Sequence, residues 1–306
     1  MSKKETRHFL SADGKTQIYA ARWLPETGEP KAVLQLCHGM TEYIDRYDAI
    51  ADFFTAQGYA VIGHDQLGHR KSRGAHPMYF GAEGSWDFLV EDALACKETF
   101  AFSGKMHIML GFSLGSFVVR DCMIRYPSSM DGAVLIGTGF QPPALLKGIR
   151  LIAKREGKKH GEENPTPLIR SLTFDNYNKK FAPVQTKFDW LLADEAAAAA
   201  YEKDPNRGDD CSAGMFRELL SGMIFTGTAE NIHKINHDLP ILLLSGKDDP
   251  VGDFGKGVEK LATTLQKDGC KNVETKLFDG RHDILREKCG EKVLRCIADW
   301  LHAQVV

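Results

Sequence analysis

Three segments of the chain carry side chains that together suit acyl transfer. The first is His107-Ile-Met-Leu-Gly-Phe-Ser-Leu-Gly115, which places Ser113 two residues from glycine on either side. A serine hydroxyl is a weak nucleophile until a base takes its proton and a third group orients that base. The G-x-S-x-G spacing suits a strained strand-to-helix turn that lifts the serine above a sheet, with glycines letting neighbouring segments pack close. Such a spacing arises by chance in a chain with 29 glycines, so its specificity comes from context. Here an apolar run precedes it and an amphipathic stretch follows, as the motif demands.

The second and third segments are Ser245-Gly-Lys-Asp-Asp-Pro-Val251 and Phe278-Asp-Gly-Arg-His-Asp283. An acid and a histidine thus follow the serine in the order serine, acid, histidine. His282 would take the Ser113 proton and return it to the leaving group, while the acid fixes its tautomer and stabilises the imidazolium. Asp248 and Asp249 both fit the acid; Asp249 is preferred, with Pro250 ending the loop and Asp248 as a turn or capping residue. The oxyanion needs donors. Leu36-Cys-His-Gly-Met40 follows an apolar run and offers the Met40 N–H, and Leu114, next to the nucleophile, offers the second. His233 and His237 lie four apart, as a metal pair would. The sequence shows neither H-E-x-x-H nor a third ligand, so they read as surface or core histidines, with no metal and no cofactor expected.

These segments need a scaffold that brings them together. Ala32–Cys37, Tyr59–Gly63, His107–Leu110, Ala133–Ile136 and Ile241–Leu244 are short, continuously apolar runs, the pattern of strands buried on both faces of a parallel sheet. Val273–Phe278 reads as a further strand. Amphipathic stretches at Asp45–Gln57, Trp86–Phe102, Leu114–Tyr126, Phe254–Lys267 and Glu291–Ala303 read as helices, giving right-handed βαβ units. Thr6–Leu10 and Gln17–Trp23 flank an Asp13-Gly14 turn and read as an antiparallel hairpin. The fold class is therefore α/β, a mostly parallel sheet with an N-terminal antiparallel hairpin. Between about Phe140 and His237 prolines multiply and helical patterns replace strands. The expected organisation is a core of residues 1–139 and 238–306 with a helical cap at 140–237, inserted where ligands bind open α/β sheets.

Composition narrows the classes further. The 306 residues carry 39 Lys plus Arg and 41 Asp plus Glu, without the basic excess of a general nucleic-acid binder. No run of about 18 apolar residues exists to span a membrane, and the first residues lack the apolar stretch of a signal peptide. The seven cysteines are scattered without a C-x-x-C pair, so reduced thiols and a cytoplasmic location are expected.

The ordered set of motifs resembles the α/β-hydrolases of the monoglyceride lipase and lysophospholipase group, grouped with the serine aminopeptidase-like hydrolases. The matching residues are His38-Gly-Met-Thr-Glu-Tyr43 with Arg46-Tyr47, Gly58 to His69, Gly111 to Gly115, Gly246-Lys-Asp-Asp-Pro250 and Gly280-Arg-His282. Thr186–Leu191 and Met215–Leu220 are similar to the family's cap helices. The resemblance implies the triad Ser113, Asp249 and His282, oxyanion donors at Met40 and Leu114, and Glu42 and Arg46 beside the polar end of the pocket; the plainer reading of the last two is an i,i+4 ion pair. Three departures concern the substrate. Gly68-His-Arg-Lys-Ser72 replaces the usual Gly-His-Gly-x-Ser. Ile284-Leu285-Arg286 stands where monoglyceride lipases often carry a second histidine. The cap sequence around Asp209-Asp210-Cys211 also differs.

The expected activity is serine carboxylic-ester hydrolysis of monoacylglycerol, lysophospholipid or a similar acyl ester. Amide or peptide hydrolysis is the alternative, with the acids at 194–195 and 209–210 as anchors for a substrate amine; a non-catalytic ligand-binding role is a third. One further segment stands out. Between Ala144 and Lys159, Leu145, Ile149 and Ile152 share a helical face, amid six basic residues and one acid. Such a helix either packs its apolar face on its own core with a solvated basic face, the favoured reading, or makes transient contact with an anionic membrane surface.

Overall fold

The computed structural model describes residues 2–208 and 210–305, with the side chains of residues 173 and 174 excluded. Eight strands form one sheet: β1 (Lys3–Leu10), β2 (Gln17–Leu24), β3 (Val33–Cys37), β4 (Ala60–His64), β5 (His107–Phe112), β6 (Gly132–Ile136), β7 (Ile241–Gly246) and β8 (Val273–Phe278). Their order is β1-β2-β4-β3-β5-β6-β7-β8. β1 and β2 pair antiparallel, β2 meets β4 antiparallel, and every pairing from β4 to β8 is parallel. The hairpin turn forms where expected: Gly14 takes φ 71°, and the Asp13 carboxylate accepts the N–H groups of Lys15 and Thr16 at 2.7 and 2.8 Å.

The central strands are apolar throughout because both of their faces are covered. Ile108, Leu110, Val134, Ile136, Leu242 and Leu244 point into one core, while Met109, Ala133, Leu135 and Leu243 point into the other. β8 is one of the two edge strands and is largely exposed, which is why it tolerates Glu274, Thr275 and Lys276. The helices packed around the sheet include α1 (Asp48–Thr55), α2 (Trp86–Thr99) and α3 (Leu114–Arg125) before β6. Between β6 and β7 the described residues form helices and turns, principally α4 (Pro143–His160), α5 (Glu195–Glu202) and α6 (Ala213–Gly227). Asp194 and Ser212 cap α5 and α6, each side chain accepting a backbone N–H of the first turn. Then α7 (Lys256–Asp268) joins β7 to β8, and α8 (Gly290–Val305) closes the chain.

Two expectations fail. Residues 186–191 are a series of turns and not a helix. The Asp189 carboxylate takes the N–H groups of Gln185 and Thr186 and the Thr186 hydroxyl, local bonds that compete with helical ones. In α4, Leu145, Ile149 and Ile152 do not act as one buried stripe. The helix packs through Leu146, Ala153 and Gly157, with Ile149 half-buried, while Leu145, Leu151 and Ile152 are exposed. The buried set follows an i, i+7, i+11 row displaced by one residue, and Gly157 lets the neighbouring Glu162 and Ala213 approach. Arg150 and Lys154 turn back toward the protein and pair with Glu83.

Candidate active site

Ser113 sits between the end of β5 and the start of α3 with φ 52° and ψ −116°, a conformation that strains any residue with a Cβ. Its backbone is held by an N–H bond to the Ile136 carbonyl at 2.9 Å. The flanking glycines have one physical reason: the chain crosses itself here. A methyl group on Gly111 would overlap the backbone of Gly115, and one on Gly115 would overlap the Cys37 carbonyl at the end of β3. The G-x-S-x-G spacing thus records how tightly β5, α3 and β3 converge under the serine.

The acid and base loops leave adjacent strands, β7 and β8, and are laced together. Lys247 N–H donates to Phe278 O at 2.8 Å, and Asp248 N–H to Gly280 O at 3.0 Å. A side chain at Gly246 would overlap the Gly280 and Arg281 carbonyls, so a glycine here lets one loop lie directly on the other. This places His282 Nδ1 2.8 Å from Asp249 Oδ1. Asp249 is fully buried, and its carboxylate also accepts Val251 N–H at 2.8 Å and the Ser245 hydroxyl at 3.1 Å. Asp248 is exposed. The two aspartates that the sequence leaves open are therefore separated by burial and contact, and it is Asp249 that meets the histidine. Since the carboxylate accepts, Nδ1 carries the proton, and the buried Nε2 keeps its lone pair without a hydrogen-bond partner among the described residues.

Ser113 and His282 line one cavity with Met40, Thr41, Glu42, Phe112, Phe188, Trp190, Leu191 and Tyr201. His282 lies between two aromatic rings, its centroid 5.0 Å from Phe112 and 5.1 Å from Trp190. The cavity measures about 20 Å³, room for one water and not for an acyl chain. Trp190 in turn packs on Tyr177 at 5.1 Å, whose hydroxyl is pushed up to about 12 by burial and by the charge of Asp249.

Met40 lies in the loop after β3, and Leu114 opens α3. The Met40 loop is held from both sides. His38 Nε2 accepts Gln66 N–H at 2.9 Å, which puts the His38 proton on Nδ1, where it donates to Gly39 O at 2.7 Å. Burial lowers this imidazole to about 3, so it stays neutral. On the other side Gly39 N–H donates to Glu42 Oε2 at 3.0 Å, and the Tyr47 hydroxyl donates to the same oxygen at 2.7 Å. Glu42 and Arg46 do form the i,i+4 pair, at 3.0 Å, but as part of a larger buried network. Arg46 also reaches Asp283 at 3.2 Å, and Arg286 reaches Asp283 at 3.1 Å and Glu42 at 3.4 Å. Burial works to raise the Glu42 pKa, and the charges of Arg286 and Arg46 outweigh it, so Glu42 is held below the usual carboxylate range. Sequence reasoning did not find this role for Asp283 and Arg286. The signal was the charge alternation directly after His282, and the partners are more than 200 residues away in the chain.

The basic loop after β4 is only partly neutralised, because Arg70 and Lys71 share the single Asp45 carboxylate with Lys4. Arg70 also lies 4.4 Å over the Tyr43 ring. Ile284 and Leu285, which stand in place of a second histidine, are buried apolar residues. Of the acids suggested as amine anchors, Asp194 caps α5, Glu195 is exposed at its first residue, Asp210 lies 3.7 Å from Arg170, and Asp209 lies outside the described residues.

A comparison with known families decides the kinship: residues 28–289 match the family described as serine aminopeptidase, S33. The chain belongs to that family. It is an α/β-hydrolase similar along most of its length to monoglyceride lipases. Monoacylglycerol lipase of Mycolicibacterium smegmatis is 24% identical, over 98% of this chain and 98% of its own. Monoglyceride lipase of Homo sapiens is 24% identical, over 93% of this chain and 85% of its own. A thermostable carboxyl esterase from Bacillus coagulans, solved in complex with glycerol, has the same fold, with a TM-score of 0.89 at 22% identity and 99% of each chain covered.

Proposed function

We propose that this S33-family chain is a serine carboxylic-ester hydrolase that uses Ser113 as nucleophile, His282 as base and Asp249 as its orienting acid. The observation that carries the reading is the buried Asp249–His282 pair: His282 lines the same cavity as Ser113, and its Nε2 has no hydrogen-bond partner among the described residues. His282 takes the hydroxyl proton as Oγ attacks the acyl carbon. The N–H groups of Met40 and Leu114 receive the oxyanion, and His282 then protonates the departing alcohol. Water repeats the sequence on the acyl-enzyme and frees the acid.

The substrate we favour is a monoacylglycerol, lysophospholipid or similar single-chain ester. Phe112, Phe188, Trp190, Leu191 and Met40 give the cavity an apolar wall for a hydrocarbon chain, and the relatives named above are lipases and esterases. Amide hydrolysis is the less supported reading, because Asp194 is already engaged in capping, Asp210 lies beside Arg170, and neither Asp194, Glu195 nor Asp210 lines the cavity of Ser113 and His282. In this reading residues 140–237 act as a cap, and the turns around Trp190 and Leu191 must withdraw before an acyl chain enters. The exposed Leu145, Leu151 and Ile152 of α4, with Lys147, Arg155, Lys158 and Lys159 around them, give that cap a surface suited to an anionic lipid interface. The free cysteines, six of the seven buried, fit a reducing, cytoplasmic setting.

The decisive experiment is Ser113→Ala, assayed on monoacylglycerol and lysophospholipid and with a fluorophosphonate probe. Loss of both turnover and labelling with an unchanged circular-dichroism spectrum is expected; labelling that persists in the variant refutes the assignment. For the surface, Leu151→Asp with Ile152→Asp is expected to abolish binding to anionic vesicles, and undiminished binding rejects that part of the reading.

A further inference from the structure

A second cluster lies at the opposite end of the sheet, where the chain returns from the helical segment to β7. His233 follows the short helix Ala229–Ile232, His237 lies in the loop leading to β7, and Asp268 is the last residue of α7. The sequence supplies the two histidines four residues apart but hides the third partner, which is 31 positions further on and comes from another element.

The geometry is that of a ligand set. His233 Nδ1 lies 3.3 Å from Asp268 Oδ1, and His237 Nε2 lies 3.4 Å from Asp268 Oδ2. One donor atom from each residue falls within 4.8 Å of the others. Ligand bonds of 2.0–2.1 Å in a tetrahedron set donor atoms about 3.3 Å apart, the spacing seen from His233 to one oxygen of Asp268 and from His237 to the other, so a small turn of the carboxylate brings it onto a shared ion. His237 Nε2 and Asp268 Oδ2 are both buried without a hydrogen bond among the described residues, although they face each other. A buried imidazole nitrogen and a buried carboxylate oxygen left in this way normally have a partner. Around the cluster, Gly269 takes φ 115°, and a side chain there would crowd His237 Nδ1, so the glycine leaves room for the imidazole to lie with Nε2 toward Asp268. Lys271 is drawn off by Asp238 at 2.7 Å and donates its backbone N–H to the His237 carbonyl at 2.9 Å, and Lys234 donates to Asn231 at 2.9 Å. His233 is mostly exposed and has room to swing onto an ion held by the other two.

We infer that His233, His237 and Asp268 form a binding site for a divalent late first-row metal ion, Zn²⁺ in particular. Two imidazoles and one carboxylate suit such an ion and leave one position for water. An ion held there would tie the end of the helical segment, through His233 and His237, to α7 of the sheet core. Its chemistry is independent of the Ser113 reading and needs no substrate.

The test uses tag-free, chelator-treated full-length protein titrated with ZnCl₂ by calorimetry, with Co²⁺ absorption as a second probe. One ion per chain is expected, with a rise in Tm on saturation. His237→Ala and Asp268→Asn are expected to weaken binding by about 100-fold and to remove the Tm rise, while fluorophosphonate labelling of Ser113 remains. Asp268→Asn keeps the side-chain volume, so it reports on the site even where an alanine variant folds poorly. Absence of saturable binding by the parent protein overturns the inference, as does binding of equal strength in His237→Ala and Asp268→Asn.

Discussion

Glu42 accepts the backbone N–H of Gly39 at 3.0 Å, so a buried carboxylate fixes the His38–Gly39 peptide, one residue before the Met40 N–H. The same carboxylate is held by Arg46 and Arg286, and both arginines bind Asp283, the neighbour of His282. One charge network thus spans the loop proposed to bind the oxyanion and the loop that carries the proposed base.

Removing its centre tests that connection. Glu42→Ala leaves Arg46 and Arg286 short of one counter-charge in a buried site and is expected to destabilise the fold by about 3 kcal/mol. In the protein that remains folded, kcat for an activated ester is expected to fall about tenfold with little change in KM, because the affected donor acts on the transition state. Full kcat in a folded Glu42→Ala variant separates the network from catalysis.

The crossing of β5, α3 and β3 makes a sharper prediction for the fold. Gly115→Ala places a methyl group on the Cys37 carbonyl, and neither backbone can move without disturbing the sheet. Destabilisation of about 3 kcal/mol or more is expected, read as a lower urea midpoint or as insoluble expression. Gly148→Ala in α4, where a methyl meets nothing within 4 Å, serves as the comparison and is expected to stabilise slightly, since alanine favours a helix interior over glycine.

Trp190 closes the cavity over His282, and its removal should change which esters enter. Trp190→Ala is expected to raise the ratio of kcat/KM for an octanoyl ester to that for an acetyl ester severalfold. A chain-length series of p-nitrophenyl esters measures it, and an unchanged ratio removes Trp190 from the path of the acyl chain.

His64 gives a prediction about pH. Its imidazole is fully buried, neither nitrogen has a hydrogen-bond partner among the described residues, and burial, aided by nearby His69, lowers it to about 4. In the unfolded chain an imidazole gains its proton as pH falls through about 6.5. Between about 6.5 and 4 the unfolded state therefore binds a proton that the folded state refuses, and stability falls as pH falls. His38 and His69, each lowered to about 3, act in the same direction. His64→Leu removes one of these contributions. The variant is expected to match or exceed the parent Tm at pH 7.5 and to lose less of it at pH 5.

The sequence by itself determined the βαβ core, the hairpin and the order Ser113, acid, His282. Strand burial and turn chemistry are local patterns, and a strained elbow requires its glycines at fixed spacing. It left Asp248 and Asp249 open, because adjacent residues share composition and context; only the lacing of the β7 and β8 loops over Gly246 buries one and exposes the other. It also misplaced the inner face of α4 by one residue, since an amphipathic pattern with apolar residues on two sides does not say which side meets protein. Residues 186–191 became turns through the bonds of Asp189, whose competition with helix formation depends on local geometry. The pairing of Glu42 with Arg286 and of His237 with Asp268 was decided by tertiary structure alone. Ion pairs and ligand sets depend on distance in space, and the chain brings these partners together only when the sheet has formed.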